Sequence, residues 1–290
     1  MLQQKVLQLP QGSLRYLDQG QGQPVVFVHG LMVDGQLWQP LVAELGPSWR
    51  CILPDWPLGA HALPMHPQAD LSVPGMVRLI ADFIVALDLH DVILVGNDTG
   101  GALAQMVCAQ FPERIARLVL TTCDAYEVFP PPAFSYLKWL GYSPMLTWLM
   151  TQLMHVVPPL RRLPIAFGDL TDKPLDGKLI ERWLRPARTH AGVRRDVCKF
   201  LRTLSNDHTL QAGRALRHFG QPALLLWSKQ SRHFPARLAE RLRCELPNAE
   251  LIWVDSAGVY VSLEHAGHLS ASMVRFMGGG DEGAVQACQV

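Results

Sequence analysis

The segment VILVGNDTGG, residues Val92–Gly101, carries the strongest structural signal in this chain. Its aliphatic first half predicts a buried strand, and the small residues from Gly100 onward predict a helix that follows at once. The glycines on either side of Asp98 allow a strained turn in which larger side chains would collide with the neighbouring strand and helix. The pattern therefore predicts a strand–turn–helix unit that raises Asp98 to the edge of a sheet, beside the N–H groups that begin a helix.

The turn Gly96–Gly100 (GNDTG) has the form of a nucleophile elbow, with a carboxylate where serine is more usual. An aspartate that caps a helix in a glycine-rich turn is the alternative interpretation. The stretch PVVFVHG, which is Pro24–Gly30, favours the elbow. In that geometry the backbone N–H groups of Leu31 and Thr99 would form an oxyanion hole beside Asp98.

Strand-like runs alternate with helical patterns along most of the chain, which predicts an α/β fold with a mostly parallel sheet covered on both faces. The predicted strands are Lys5–Leu9, Leu14–Asp18, Pro24–His29, Arg50–Leu53, Val92–Val95, Ala116–Thr121, Ala223–Trp227 and Glu250–Val254. The predicted helices of this part are Gln36–Leu45, Val73–Leu89, Gly100–Phe111, Ala236–Leu246 and Glu264–Met277.

The alternation stops between about Phe129 and Arg217, where helical stretches follow one another without a clear strand. We therefore expect a first part of an α/β core over residues 1–128 and a helical cap over 129–217. The second part of the core would occupy 218–278, and a loose C-terminal tail 279–290.

The composition and charge of the chain argue against nucleic-acid-binding, membrane-spanning and metal-binding functions. The formal net charge of +1 gives no electrostatic footprint for nucleic acid, and no lysine-rich run suggests an anionic membrane surface. The N-terminus lacks a signal-peptide pattern, and the longest apolar stretch, Met145–Val157, is too short to span a bilayer. The six cysteines have no metal-ligand spacing. We expect a soluble, cytoplasmic protein without metal or cofactor, for which a homodimer is compatible with the sequence.

The two motifs and the insertion after the sixth strand resemble the α/β-hydrolase superfamily over nearly the whole chain. The aspartate at the elbow is most similar to the haloalkane dehalogenase and epoxide hydrolase branch. That resemblance implies an α/β-hydrolase fold and attack by Asp98 on a carbon atom, giving an ester. In the family, a histidine-activated water then hydrolyses the ester.

The resemblance also shows departures from the family. The family's acid after the seventh strand is missing in Trp227–Arg232 (WSKQSR), so Asp124, after the sixth strand, is the candidate acid. The family's histidine after the last strand is replaced by Val259, since Gly258 precedes it and Glu264 follows five residues later, as in the family pattern.

Halide-binding side chains are absent as well, because Thr99 and Leu31 stand where dehalogenases carry donor side chains. The resemblance makes Tyr136 and Tyr142 candidates for the epoxide-activating tyrosines of the cap. Neither feature assigns a specific dehalogenase or epoxide hydrolase activity.

Other histidines could replace the missing base. His61 is the preferred substitute, because its loop follows the fourth strand at the carboxyl edge of the sheet, where such folds bind ligands. His233, His265 and His268 are the alternatives, and a surface role is the more common explanation for all four. Without a base, attack by Asp98 could proceed while hydrolysis of the ester would lose about 10²–10⁴-fold in rate.

We expect a pocket for a small-to-medium apolar substrate or ligand around Asp98, bordered by His29, Asn97, Trp139, Trp148 and Val259. His29 would support its loop rather than carry protons. Three hypotheses stay open. The chain is a hydrolase that uses Asp98, Asp124 and a substitute histidine, or a degenerate member that only binds a ligand or partner. The third is a non-hydrolytic enzyme in which Asp98, with a raised pKa, is a general acid or base.

Overall fold

Eight strands form one sheet in a computed structural model of the chain, which describes residues 3–279. The strands are β1 Gln3–Leu9, β2 Gly12–Gln19, β3 Pro24–Val28, β4 Arg50–Pro54, β5 Val92–Asp98, β6 Ile115–Cys123, β7 Ala223–Ser228 and β8 Ala249–Val254. Their spatial order is β1-β2-β4-β3-β5-β6-β7-β8. β2 pairs antiparallel with β1 and β4, and all other pairs are parallel. The mostly parallel eight-stranded sheet agrees with the prediction.

Burial follows the position of each strand in the sheet. The central strands β3, β5 and β7 are buried along nearly their whole length. The edge strands β1 and β8 are exposed or half-buried. This is the expected result of covering a parallel sheet on both faces, and it explains why the central strands are continuous apolar runs.

Helices flank the sheet and fill the insertion. They are α1 Gln39–Leu45, α2 Val73–Ala86, α3 Thr99–Gln110, α4 Leu137–Leu140, α5 Pro144–Val156, α6 Gly177–Thr189, α7 Ala191–Leu201, α8 Asn206–Leu216, α9 Ala236–Glu245, α10 Val261–Glu264 and α11 Ala266–Met277. Within residues 3–279, none of these is both long and apolar enough to cross a membrane. The predicted tail lies outside the described residues, apart from Gly279.

Two predicted helices differ in detail. The first begins as a 3₁₀ turn, Gly35–Trp38, because the Asp34 carboxylate accepts a hydrogen bond from the N–H of Gln36 and starts the helix there. The last is interrupted at His265, whose φ of −133° is not helical. Just before the break, Glu264 accepts a hydrogen bond from the N–H of Gly258 at 2.8 Å, which ties this turn to the preceding loop.

Helices α4–α8 lie in the chain between β6 and β7, and this described stretch contributes no strand to the sheet. Asp34, which follows β3, is buried and accepts hydrogen bonds from the indole N–H of Trp183 at 3.1 Å and from Arg182 at 3.3 Å. Both donors belong to α6. The pairing therefore fixes the helical segment over the carboxyl ends of the parallel strands.

The turn between β5 and α3 is the strained point of the fold. Asp98 has φ +54° and ψ −136°, a backbone conformation that residues other than glycine rarely adopt. A Cβ at Gly100 would lie 2.1 Å from the carbonyl oxygen of Val28, and one at Gly101 would lie 2.2 Å from the Cβ of Cys123. Both positions need glycine, because the backbone of β3 and the Cys123 side chain of β6 lie too close to admit a Cβ.

Gly100→Ala should therefore destabilise the protein by about 2–4 kcal/mol in urea unfolding, since the backbone carbonyl cannot move aside. Gly267→Ala is the matched control in the first turn of α11, where a Cβ meets nothing within 4 Å. It should leave stability unchanged or raise it by about 0.5–1 kcal/mol. Equal effects of the two changes would contradict the close packing at the turn.

Candidate active site

Asp98 ends β5 at the carboxyl edge of the sheet, and its side chain points into a cavity beneath the helical segment. Gly30 leaves the space for it, since a Cβ there would lie 2.1 Å from Oδ2 of Asp98. The glycine of the His-Gly pair is thus required by the carboxylate itself. The two motifs found in the sequence meet at this point.

The cavity is apolar apart from the groups around Asp98. Its volume is about 70 Å³, and about 610 Å³ of space free of protein atoms lies around it when open solvent is included. The lining residues are Leu31, Met32, Asp98, Thr99, Pro130, Pro131, Phe134, Tyr136, Leu137, Met150, Met154, Ile165, Ala166, Phe167, Leu170, Leu184 and Tyr260. No histidine of the described chain is among them. A wall of this kind suits a small apolar molecule held against one carboxyl group.

Burial in this apolar setting raises the pKa of Asp98 from 3.8 to about 7, against a smaller lowering effect of a hydrogen bond from the backbone N–H of Thr99. Close to neutral pH, the carboxyl group is therefore present in both its neutral and its ionised form. It can act as a nucleophile in the second form and as a proton donor in the first.

A second carboxyl group, Asp124, lies behind the elbow. It is fully buried and does not line the cavity. The hydroxyl of Thr99 donates to its Oδ2 at 3.3 Å, while Oδ1 has no hydrogen-bond partner among the described residues. Burial, and next the charge of Asp98, raise the pKa of Asp124 well above its ordinary value. Burial thus favours the neutral form of Asp124, which contacts the site through Thr99.

The two residues predicted for an oxyanion hole, Leu31 and Thr99, both line the cavity beside Asp98. The loop that carries Leu31 is held by a hydrogen bond from the N–H of Met32 to the carbonyl of Leu58, at 2.9 Å. Met32 itself has φ +56°. The backbone after β3 is therefore fixed in a second strained turn that faces the elbow.

His29 supports this loop from below and does not line the cavity, which corrects its assignment to the pocket. Its Nδ1 contacts the carbonyl of Gly30 at 2.9 Å, and its Nε2 accepts the N–H of Trp56 at 2.9 Å. An Nδ1–H tautomer satisfies both bonds. Burial lowers the pKa of His29, so the ring is neutral and structural.

His61 does not line the cavity either, although it is buried. Its Nε2 lies 3.4 Å from Oδ2 of Asp196, and its Nδ1 accepts the N–H of Gly59 at 3.4 Å. Asp196 belongs to α7, so the ring joins the loop after β4 to the helical segment. The geometry thus gives His61 a structural partner instead of a place beside Asp98.

Among the other histidines, His233 contacts the cavity wall through Phe134. Its ring centroid lies 4.9 Å from that of Phe134, and its Nε2 is buried without a hydrogen-bond partner among the described residues. His265 bonds to the carbonyl of Ser256 at 2.9 Å, and His268 is exposed on α11.

The loop after β8 presents Tyr260, not Val259, to the cavity. Val259 is fully buried, with its N–H bonded to the carbonyl of Leu170 at 2.7 Å and its carbonyl to the amide of Asn97 at 2.8 Å. Burial, and next the charge of Asp98, raise the pKa of Tyr260 well above its ordinary value, so the phenol keeps its proton. Sequence reasoning missed Tyr260, although it directly follows the position of the missing histidine.

Asn97 lies at the base of the site and does not border the cavity. It is fully buried, and its amide also donates to the carbonyl of Thr121 at 2.9 Å. The side chain therefore connects the elbow, the end of β6 and the loop after β8.

The predicted pocket residues of the helical segment require a correction. Trp139 and Trp148 are 74% and 38% exposed on the outer surface and do not line the cavity. Tyr142 is exposed as well, whereas Tyr136 lines the cavity and donates its hydroxyl to the carbonyl of Ile165 at 2.7 Å. For Trp148 the reason is the orientation of α5, which turns Met150 and Met154 toward the cavity and Trp148 outward.

Comparisons with known proteins agree with the fold. The sequence profile of the Alpha/beta hydrolase family matches residues 25–274. The chain is 22% identical over 275 residues to the cis-3-alkyl-4-alkyloxetan-2-one decarboxylase of Shewanella oneidensis, covering 91% of this chain and 85% of that protein. It is 34% identical over 107 residues to a haloalkane dehalogenase of Mesorhizobium japonicum, covering 37% of this chain and 34% of that one. An epoxide hydrolase structure superposes with a TM-score of 0.79 at 18% identity, covering 96% of this chain and 99% of that one.

The raised pKa of Asp98 predicts a pH-dependent cost to stability. Between pH 3.8 and about 7 the carboxyl group ionises in the unfolded chain but stays protonated in the folded one, so stability falls as pH rises through this window. Asp98→Asn removes the effect and should raise the melting temperature relative to the parent, with a gain that grows from pH 4 to pH 8. At pH 8 the gain corresponds to at most about 4 kcal/mol.

The control is Asp255→Asn, at an exposed position after β8, measured by the same thermal unfolding series. A constant difference between Asp98→Asn and the parent across this pH range would show that the folded carboxyl ionises as in water.

Proposed function

Because this chain belongs to the alpha/beta hydrolase family, we propose that it is an enzyme in which Asp98 attacks an electrophilic carbon of a small-to-medium apolar substrate. One observation carries the proposal: a single carboxyl group at the strained turn faces an apolar cavity whose described wall contains no histidine. Side chains of the helical segment do not fill the cavity, so a small molecule has access to Asp98.

The first half-reaction needs no base. The ionised oxygen of Asp98 forms a bond to carbon, while the bond from that carbon to a halide or to a ring oxygen breaks with its electron pair. Leu31 and Thr99 line the cavity beside the carboxyl group, and the N–H of Thr99 bonds to it. Tyr260 lines the same cavity and keeps its proton, so we propose it as the hydrogen-bond donor to the departing oxygen of a strained ring. We therefore assign Tyr260 a role beside Asp98.

The second half-reaction distinguishes this chain from its dehalogenase and epoxide hydrolase relatives. Hydrolysis of an aspartyl ester requires an activated water, and a general base is typically worth about 10²–10⁴-fold. Neither His61, which pairs with Asp196, nor Asp124 lines the cavity to supply that help. We propose that the ester forms readily and is hydrolysed slowly.

Intact-protein mass spectrometry tests the ester directly. The parent, incubated with small haloalkanes and epoxides, should gain the mass of the alkyl group or of the whole epoxide. The rate of labelling should rise about tenfold between pH 6 and pH 8, because the ionised fraction of a group with a pKa of about 7 rises by that factor.

Asp98→Asn keeps the shape of the side chain and should prevent labelling, whereas Asp124→Asn should still be labelled. Label that persists in Asp98→Asn would place the nucleophile elsewhere. Product release without an adduct would mean that a base acts after all, and then His233→Gln should accumulate the ester while His61→Gln should not.

A second candidate follows from the relative whose similarity extends over 91% of this chain, which is named as an oxetan-2-one decarboxylase. An oxetan-2-one is a four-membered lactone, and its opening by Asp98 gives an ester that can collapse without water. The alkyl C–O bond of the ring breaks first and leaves a substrate carboxylate. Loss of CO₂ then forms the C=C bond while the bond to Asp98 breaks, which regenerates the aspartate. No proton is gained or lost, so the missing base is no obstacle.

Reaction with a cis-3,4-dialkyl oxetan-2-one in ¹⁸O-water separates the two candidates. Decarboxylation should yield an alkene and CO₂ in equal amounts, with no ¹⁸O in Asp98 after several turnovers. A labelled hydroxy acid, or ¹⁸O in the Asp98 peptide, would show hydrolysis and remove this candidate. Tyr260→Phe should slow ring opening by about tenfold or more in either case, since it removes a positioned donor.

A further inference from the structure

Helix α5 exposes large apolar side chains and buries polar ones. Its exposed side chains include Met145, Leu149, Leu153 and Val156, of which Met145 is 70% and Val156 74% exposed. Their spacing of four, four and three residues places them on one side of the helix. The buried positions are instead taken by Thr147 and Thr151. A helix that meets only water would carry the opposite arrangement.

Two more exposed apolar side chains precede α5 in the chain: Trp139 of α4 and Tyr142, just after α4. Their rings lie 6.3 Å apart, and they are 74% and 63% exposed. We call Trp139, Tyr142, Met145, Leu149, Leu153 and Val156 the outer apolar face. Soluble monomers seldom expose so many large apolar side chains side by side, and such patches usually mark an interaction surface.

The charges around this face have one sign. Residues 129–168 contain no aspartate or glutamate, and their charged residues are Lys138, Arg161 and Arg162. Lys138 and Arg162 are exposed. Arg194 of α7 borders a groove together with Met145 and Trp148 of α5. The outer apolar face is therefore flanked by cations.

Two acidic residues of the helical segment adjoin these cations. Asp172 is exposed and shares a groove with Arg162. Glu181 of α6 accepts hydrogen bonds from Arg161 and Arg188, both at 2.6 Å, and lies 2.9 Å from Nδ1 of His155. Glu181 is thus paired with basic groups, while Lys138 and Arg194 adjoin the outer apolar face at its other end.

We propose that the outer apolar face docks on the surface of an anionic lipid bilayer. Aromatic side chains at one end, aliphatic side chains along one side of a helix and flanking cations are the chemistry of a helix that lies in a bilayer interface. At 13 residues α5 is about 20 Å long, too short to cross a bilayer but suited to lying in its plane.

The same charges argue against a second copy of the chain as the occupant. A two-fold contact through this face would bring Lys138, Arg162 and Arg194 of one copy close to the same residues of the other. An anionic surface neutralises them instead.

Met150 and Met154, on the inner side of α5, line the Asp98 cavity, so docking would bring the membrane within one helix diameter of the site. The docking itself does not depend on the chemistry of Asp98.

Co-sedimentation of the full chain with vesicles tests the proposal. The parent should bind phosphatidylglycerol vesicles at least tenfold more strongly than phosphatidylcholine vesicles. Met145→Glu combined with Val156→Glu should lower binding to the anionic vesicles at least tenfold, because it places two charges in the apolar contact. Lys138→Glu with Arg162→Glu should reduce it to the level of the neutral vesicles.

Val85→Glu is the matched control, since Val85 is 56% exposed on α2 of the core, and it should bind within twofold of the parent. Asp98→Asn should also bind like the parent, which separates this proposal from the proposed reaction. A parent that stays in solution with anionic vesicles, or a Val85→Glu variant that loses binding equally, would overturn the proposal. A dimer in light scattering that Met145→Glu with Val156→Glu converts to monomer, without vesicle binding, would show self-association instead.

Discussion

The positive φ of Asp98 is the constraint on which the rest of the site depends. An aspartate in that conformation is stable only when the chain around it admits no alternative, and here the contacts come from β3, β6 and the start of α3. Each contact requires a glycine, because backbone and carboxylate occupy the volume that a Cβ would need. The strain aims one carboxyl group at the cavity. The same packing that stabilises the sheet therefore also determines where the reactive atom lies.

Electrostatics adds a second constraint. Two carboxyl groups, Asp98 and Asp124, share a small buried region without a described cation or histidine in hydrogen-bond contact, and burial favours their neutral forms. Asp98 is the one that meets the cavity, so its ionisation determines whether it carries the negative charge that the proposed nucleophile needs. Thr99 connects the two groups, since its hydroxyl contacts Asp124 and its N–H contacts Asp98. The reactivity of the site is thus set by desolvation more than by a charged partner.

The sequence was sufficient for the elbow, the sheet and the contact between the His-Gly loop and Asp98, because these follow from short-range patterns of glycine and buried strand. The family resemblance is confirmed by the match over residues 25–274. The orientation of α5 could not be predicted, since a run of Met, Leu and Trp reads the same whether it faces a cavity or solvent. His61 was misplaced for another reason: its partner Asp196 is 135 residues away in the chain. Tyr260 was missed because the family pattern assigns the histidine position to Val259 and makes no assignment for the next residue.

The loop after β8 keeps its path through main-chain groups. The N–H groups of Val259 and Tyr260 both bond to the carbonyl of Leu170, and the carbonyl of Val259 bonds to Asn97. None of these bonds involves the side chain at position 259. In evolutionary terms, a single substitution can change the side chain at position 259 without removing the hydrogen bonds that hold the loop. A lineage that gains or loses a functional side chain at this position can thus keep the folded loop throughout.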